Sequence, residues 1–266
     1  MLALSERQEK IRSLLACNGR IRVAELAAQM DVAPMTIRRD LAAMERSGLL
    51  TRTHGGCVLQ SPFVAELSFP EKRRLRQLQK TAIAREAVRL LKPGEAVYLD
   101  TGTTALQVAR ALPPGRDLRI FTNNLRVAME LFGRSDVTVV VYGGVLARKN
   151  PDLAKEIALA QIREYRLDVA IVGGDALDVA HGEFYGADTA TAALSRAAQK
   201  QADRIIAIID SSKFGKRSLA VTGRLGPGMT LVTDDELNQK DRAALRATGA
   251  RIVFARTSAR ASEGQK

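Results

Sequence analysis

Asp31-Val32-Ala33-Pro34-Met35-Thr36-Ile37-Arg38-Arg39-Asp40-Leu41 is the stretch on which the reading of this 266-residue chain turns. Pro34 suits the first position of a helix, where its missing N–H has no acceptor to lose. Ile37, Leu41 and Met44 then recur at helical spacing and face a core. Thr36, Arg38 and Arg39 are left on other faces. Exposed Arg and Thr side chains in the first turns of a helix bond base edges and phosphates in a major groove. An isolated Arg pair also fits a solvated helix face, so the flanking elements decide.

Upstream, Ser5 caps a helix carrying Ile11, Leu14 and Leu15 on one face, stopped at Asn18-Gly19. Ile21 to Val23 make a brief strand contact. A second helix from Val23 to Met30 places Val23, Leu26, Ala27 and Met30 at the i, i+3, i+4, i+7 positions. Two short helices joined by the three residues Asp31 to Ala33 form a helix-turn-helix, whose second helix enters the groove. Downstream, Ser47-Gly48 ends the third helix, and Leu49 to Thr53 pairs with Cys57 to Leu59 across His54-Gly55-Gly56. This hairpin is a wing, with Arg52 and His54 placed to meet phosphates or a minor groove; His54 equally fits a plain turn residue. No Phe, Tyr or Trp precedes Phe63. Single-stranded nucleic acid and RNA are gripped by stacking bases on aromatic rings, so the module points to duplex DNA.

The formal net charge of +12 favours a polyanionic partner. Hydrophobic residues at 46% and charged residues at 26% are globular values, which excludes wholesale disorder. Cys17 and Cys57 are too few for a disulfide framework, and with only His54 and His181 no zinc spacing arises, so no metal or cofactor is expected. Both cysteines read as reduced and structural. No apolar run is long enough to span a membrane and the N-terminus lacks a signal-peptide core, so a cytoplasmic protein without a membrane partner is expected.

Residues 1–60 are thus expected to be a winged helix-turn-helix domain, followed by a basic linker at 61–80 that includes Glu71-Lys72-Arg73-Arg74-Leu75-Arg76. From Thr81 short apolar strands alternate with helices. The strands are expected at Ala96 to Leu99, Leu118 to Phe121, Val137 to Val141, Asp168 to Val172, Arg204 to Ile209, Thr230 to Val232 and Arg251 to Phe254. Such alternation implies a mainly parallel, Rossmann-like α/β sheet over residues 81–256. The polar tail, residues 257–266, reads as disordered.

Ligands of such sheets bind at the carboxyl ends of the strands, near a switch in strand order. There this sequence places Asp100-Thr101-Gly102-Thr103-Thr104, Thr122-Asn123, Gly143-Gly144, Gly173-Gly174-Asp175 and Asp210-Ser211-Ser212-Lys213. Small and hydroxylated residues at a helix N-terminus present N–H groups to an anion, and Lys213 supplies a counter-charge. Each piece alone also fits a cap, a turn or a surface lysine. Asp100 either accepts sugar hydroxyls or holds its loop, and the residues leave both open. No G-x-G-x-x-G follows the first strand, which disfavours a dinucleotide.

Val32 to Leu41 together with Met44-Glu45-Arg46-Ser47-Gly48-Leu49-Leu50-Thr51-Arg52-Thr53-His54-Gly55-Gly56 resembles the N-terminal signature of the DeoR family of bacterial transcriptional regulators. The later half resembles that family's effector domain, with D.GTT at Asp100 to Thr104, TN at Thr122-Asn123, GG at Gly143-Gly144 and D.SKFG at Asp210 to Gly215. The resemblance implies a sugar-phosphate sensing domain similar to ribose-5-phosphate isomerase, and a repressor of a carbohydrate-catabolic operon released by its ligand. Ala33 departs from the usual Ser, Cys57 from the usual Ala, and Asn150 to Ala160 lacks a usual Gly. Thr189 to Arg196 lacks an acidic-then-Lys pair, offering Thr191 and Ser195.

The expectation is therefore a non-enzymatic regulator that binds double-stranded operator DNA and a phosphorylated sugar, assembling as a dimer or tetramer. A sugar-phosphate isomerase using Asp100, Asp210 or Lys213 is the alternative, although no His and no compact carboxylate pair stands among the loops. An architectural DNA-coating protein would explain the charge but not the crevice.

Overall fold

In the computed structural model, residues 5–18, 20–46, 50–53, 55–59, 68–147 and 150–257 are described. The chain divides into two compact units, Met1–Leu67 and Ser68–Lys266.

The first unit begins with α1 (Glu6–Asn18), whose cap is reciprocal. Gln8 N–H donates to Ser5 Oγ at 3.3 Å, and Ser5 N–H donates to Gln8 Oε1 at 3.1 Å, satisfying two groups that a helix start leaves open. Next come β1 (Arg20–Arg22), α2 (Val23–Met30), α3 (Pro34–Arg46), β2 (Leu50–Thr53) and β3 (Gly56–Leu59). Apolar residues at helical spacing, Ile11 and Leu15, Leu26, then Ile37, Leu41 and Met44, close one core with Ile21, Leu50 and Cys57. Each fully buried Leu or Ile there contributes about 1.5–3 kcal/mol. The sheet order is β1-β3-β2, all antiparallel. Burial pushes the Cys57 thiol up to about 11, so it is an inert core group.

The second unit starts with two helices, α4 (Phe69–Arg74) and α5 (Gln77–Arg89). Here the expected linker at 61–80 needs correction. From Ser68 onward its residues belong to this unit, because Phe69 and Lys80 are buried in it; residues 60–67 lie outside the described residues. There follow β4 (Ala96–Leu99), α6 (Thr103–Ala111), β5 (Leu118–Thr122), α7 (Leu125–Leu131), β6 (Val137–Val141), β7 (Val145–Leu146), β8 (Leu153–Ala154) and α8 (Glu156–Ile162). The remaining elements are β9 (Leu167–Val172), β10 (Ala176–Asp178), β11 (Glu183–Gly186), α9 (Thr189–Gln201), β12 (Ala202–Ile208), a 3₁₀ turn (Ser211–Lys213), β13 (Ala220–Arg224), β14 (Met229–Asp234), α10 (Gln239–Arg246) and β15 (Arg251–Ala255).

Seven strands form one parallel sheet in the order β15-β14-β12-β9-β4-β5-β6. All seven expected strands are in it. Alternate residues point to opposite faces: Val97 and Leu99 pack with Ile83, Val108 and Val127 of α5, α6 and α7, while Tyr98 packs with Ala158, Leu194 and Leu245 of α8, α9 and α10. The chain runs from β4 outward to β6, then returns to lay β9 on the other side of β4. The order therefore reverses between β4 and β9.

A small antiparallel sheet, β10-β11-β13, was not apparent from periodicity because its strands are short and bulged at Phe184/Tyr185. Helix α8 starts only at Glu156, since the preceding Leu153–Ala154 pairs with Val145–Leu146. Thr257 also needs correction as the start of a disordered tail. Its N–H and hydroxyl donate to Asp235 Oδ1 at 3.1 and 2.8 Å; residues 258–266 lie outside the described residues. No described helix is long and apolar enough to cross a membrane.

Candidate functional site

The turn between α2 and α3 is closed by Asp31, which takes φ 51, ψ 51 and sends its N–H to Ala27 O. Asp is among the few residues that tolerate this left-handed conformation. Asp31 thus ends α2, and it makes no side-chain bond to the first turn of α3. Ala33 stands at the N-cap with only its carbonyl, which accepts from Thr36 N–H at 2.9 Å. A methyl group cannot cap, so the start of α3 keeps open N–H groups.

Ile37, Leu41 and Met44 point inward. Asp40 is buried beside them and receives Arg7 Nε at 2.5 Å and Arg7 Nη2 at 3.3 Å, which ties α1 to α3. Thr36 is half-buried, while Arg38 and Arg39 are exposed and hold no hydrogen bond or ion pair among the described residues. The wing is braced against α3. Arg52 N–H donates to Glu45 Oε1 at 2.8 Å, leaving the exposed Arg52 guanidinium 3.9 Å from that carboxylate.

Both wing glycines have a steric reason. Gly55 takes φ 82, and a Cβ on Gly56 would lie 2.3 Å from Ile21 O of β1. His54, the fifth expected DNA contact, lies outside the described residues.

At the strand ends, Asp100 follows β4 and is buried. One of its oxygens accepts from Thr101 N–H at 2.8 Å and Tyr98 OH at 3.1 Å, the other from Ser195 Oγ at 3.0 Å and Gly173 N–H at 3.3 Å. These bonds stitch β4, β9 and α9 across the point where the strand order reverses. Burial raises the Asp100 pKa against those four donors.

Thr122 and Asn123 also work as framework. Thr122 Oγ1 accepts from Asn124 N–H at 3.1 Å, and Asn123 joins Tyr98 OH to Leu153 O. Gly143 donates to Gln161 Oε1 at 2.7 Å, and a Cβ on Gly144 would meet Ala154 O at 2.3 Å. Gly102 differs from these. At φ 101 it starts α6 with open space beside it, so the first-turn N–H groups of buried Thr103 and half-buried Thr104 head a nine-residue helix.

Two acidic residues sit among cations. Asp175 receives Lys72 Nζ at 2.7 Å and Ala187 N–H at 3.1 Å. Asp210 caps the 3₁₀ turn by accepting from Ser212 N–H at 3.1 Å. Burial works to raise both carboxyls, but the charges of Lys72 and Lys213 on Asp175, and of Lys213 and Lys80 on Asp210, hold them below the usual carboxylate range. Lys213 is half-buried and makes no hydrogen bond or contact ion pair among the described residues.

Sequence reasoning missed Lys72, Arg76 and Lys80. Lys80 Nζ caps Lys72 O and Leu75 O, and Arg76 Nη2 reaches Ser211 Oγ at 2.8 Å. Their spacing of four was a signal, obscured by the surrounding run of charge. Asp152 was missed as well. It is buried, accepts from Asn124 Nδ2 at 2.5 Å, and burial, with Asp100 and Asp175 nearby, pushes it up to about 7. Lys155 takes φ 78, ψ −158 at the start of α8, within the stretch where the resemblance expects a glycine. Of the two hydroxyl residues offered in α9, Ser195 serves Asp100 and Thr191 serves the Asp188 cap.

Residues 7–63 match the DeoR-like helix-turn-helix domain and residues 76–235 the DeoR C terminal sensor domain. The chain is 33% identical over 257 residues to a putative aga operon transcriptional repressor of Escherichia coli O157:H7, covering 94% of this chain and 93% of that one. It is 35% identical over 232 residues to the glycerol-3-phosphate regulon repressor of Haemophilus influenzae, covering 87% and 89%. Among solved structures, ribose 5-phosphate isomerase A of Methanocaldococcus jannaschii is similar over 52% of this chain and 54% of that one, at 19% identity and a TM-score of 0.38, a likeness too partial to bear on chemistry.

Proposed function

We propose that this chain, which belongs to the DeoR family of transcriptional regulators, represses a carbohydrate-utilisation operon and releases its operator when a phosphorylated sugar occupies the strand-end crevice. The observation that carries the DNA half is the exposure of Arg38 and Arg39 on α3, without a hydrogen bond or ion pair among the described residues and flanked by the Arg52 wing. An Arg already spent on a carboxylate would have to break that pair before meeting a base; these do not. Thr36 and the open N–H groups of the α3 start would take a phosphate, as helix N-termini do. The protein acts in the cytoplasm and self-associates, because paired half-sites are read by paired recognition helices.

For the effector half, Gly102, Thr103 and Thr104 at the start of α6 and the half-buried Lys213 ammonium would take the phosphate. Asp175 would accept sugar hydroxyls. Asp100, Thr122, Asn123, Gly143, Gly144 and Asp210 shape the rim through the bonds and contacts described. Release requires that the ligand bind the low-affinity form more tightly than the DNA-bound form. The engagement of both Asp100 oxygens and the capping role of Asp210 argue against isomerase chemistry, since they leave Lys213 alone among the expected acid/base groups.

The test is a band shift on the promoter of the adjoining operon, titrated with a panel of sugar phosphates, alongside isomerase turnover on the same panel. Binding that prefers one site and weakens with one panel member is expected, without turnover. Binding indifferent to every sugar phosphate would remove the inducer, and sequence-independent binding would remove the operator.

A further inference from the structure

We propose that the open β6 edge of the parallel sheet, with the apolar side chains beside it, is the face through which a second copy of this chain docks. The inference rests on the self-association just proposed and assigns it a surface.

Among the described residues β6 has a sheet neighbour on one side only. It is Val137-Thr138-Val139-Val140-Val141, without a charge, and no Asp, Glu, Lys or Arg occurs from Val137 to Leu146. The opposite edge is treated differently. β15 begins with the exposed Arg251 and is followed directly by Arg256, while the Arg242 guanidinium lies 4.3 Å over its Phe254 ring. Charges on an edge strand block pairing with another chain, and their absence invites it.

Exposed apolar side chains gather around the same edge. Phe132 is 79% exposed and Met129 67% on the α7 side, where Val141 also points. Beyond β6, Val145 and Leu146 of β7 and Ile157 of α8 are each about half exposed, and Tyr165 is 39% exposed. Tyr165 is tied to the edge by its ring contacts, 4.9 Å to Phe121 and 6.1 Å to Tyr142.

A covered aromatic ring removes about 150–250 Å² from water and a covered aliphatic side chain roughly 100 Å². The exposed fractions therefore amount to on the order of 500 Å² of apolar side chain. That is more than half of the roughly 800 Å² per partner of a standard interface, before the β6 backbone is counted.

The charge balance selects the occupant. At +12 two copies repel one another over most of their surface, so self-association needs an uncharged face, and this is one. A twofold axis beside β6 sets the two β6 strands antiparallel, each donating to and accepting from the same residues of its mate, as an isologous contact requires.

The experiment is sedimentation equilibrium of the full chain at micromolar concentration. It compares the wild type, the Phe132→Lys/Val141→Lys double variant and a Leu219→Lys control, whose parent side chain is 67% exposed outside this patch. Melting curves check that each variant is folded, and amide exchange of residues 137–141 is followed in parallel. The wild type and the control are expected to self-associate alike. The double variant is expected to weaken association by about 10-fold or more and to lose amide protection along β6. A monomeric wild type would overturn both the docking face and the self-association it rests on. An associated wild type whose double variant dissociates no more than the control would overturn this face alone, leaving operator reading untouched.

Discussion

Asp152→Asn is the perturbation whose outcome follows most directly from the geometry. The Asp152 carboxyl is 3% exposed, and burial raises its pKa from an ordinary 3.8 to about 7, with the Asp100 and Asp175 charges adding to the effect and Lys72 opposing it. Between those two values the folded chain holds a proton that the unfolded chain has released. Stability therefore falls as pH rises through this window, and above it the whole penalty remains. The difference is worth about 4 kcal/mol at 1.36 kcal/mol per pH unit.

Asparagine has no charge to desolvate, and its carbonyl can still accept from Asn124 Nδ2. It forfeits about 1 kcal/mol from the charge-assisted strength of that bond. A net gain of about 3 kcal/mol at pH 8.5 is expected, shrinking to under about 1 kcal/mol at pH 5. For a unit of this size that gain is roughly 6–12 °C in Tm. Thermal unfolding of the full chain from pH 5 to 8.5 in phosphate-free buffer measures it. Parallel curves for the two proteins, or a gap that widens toward acid, would refute the placement of an uncompensated carboxyl at this site.

Arg38→Ala is expected to cost about 1–3 kcal/mol on the preferred operator and little on other sequences, whereas Arg52→Ala weakens all duplexes alike and reduces the salt slope by about 1; equal loss on every sequence for both would put Arg38 on phosphate. Gly56→Ala puts a Cβ 2.3 Å from Ile21 O, so β1 and β3 must part. The N-terminal unit should lose about 1–3 kcal/mol or more, and a melt indistinguishable from wild type would contradict the register. Lys155→Gly relieves a backbone held at φ 78, ψ −158. It should raise stability by about 1–2 kcal/mol, and a lower Tm would show that the lysine side chain contributes more than the strain removes.

Much of this protein was legible in its residues alone. The spacing of Ile37, Leu41 and Met44 and the Pro34 start define α3, and with the core on one side Arg38 and Arg39 must face outward. The seven parallel strands were equally legible, because a strand buried on both faces is a continuous apolar run that local composition records. Periodicity registers neighbours in sequence, so it could not report pairs that meet from afar. Whether Asp100 faces a ligand or holds a loop depended on Ser195 and Gly173, residues remote in sequence that the fold brings to one of its oxygens.

The same limit hid Lys72 and Asp152. Read locally, one was part of a solvated basic run and the other an ordinary loop aspartate; packing put the first 2.7 Å from Asp175 and took the second out of water. Sequence by itself determined the seven parallel strands and the outward face of the recognition helix, since burial at a fixed period is a local property. Tertiary structure decided which polar groups are consumed by the framework and which stay free, since hydrogen bonding and desolvation depend on what the fold brings near.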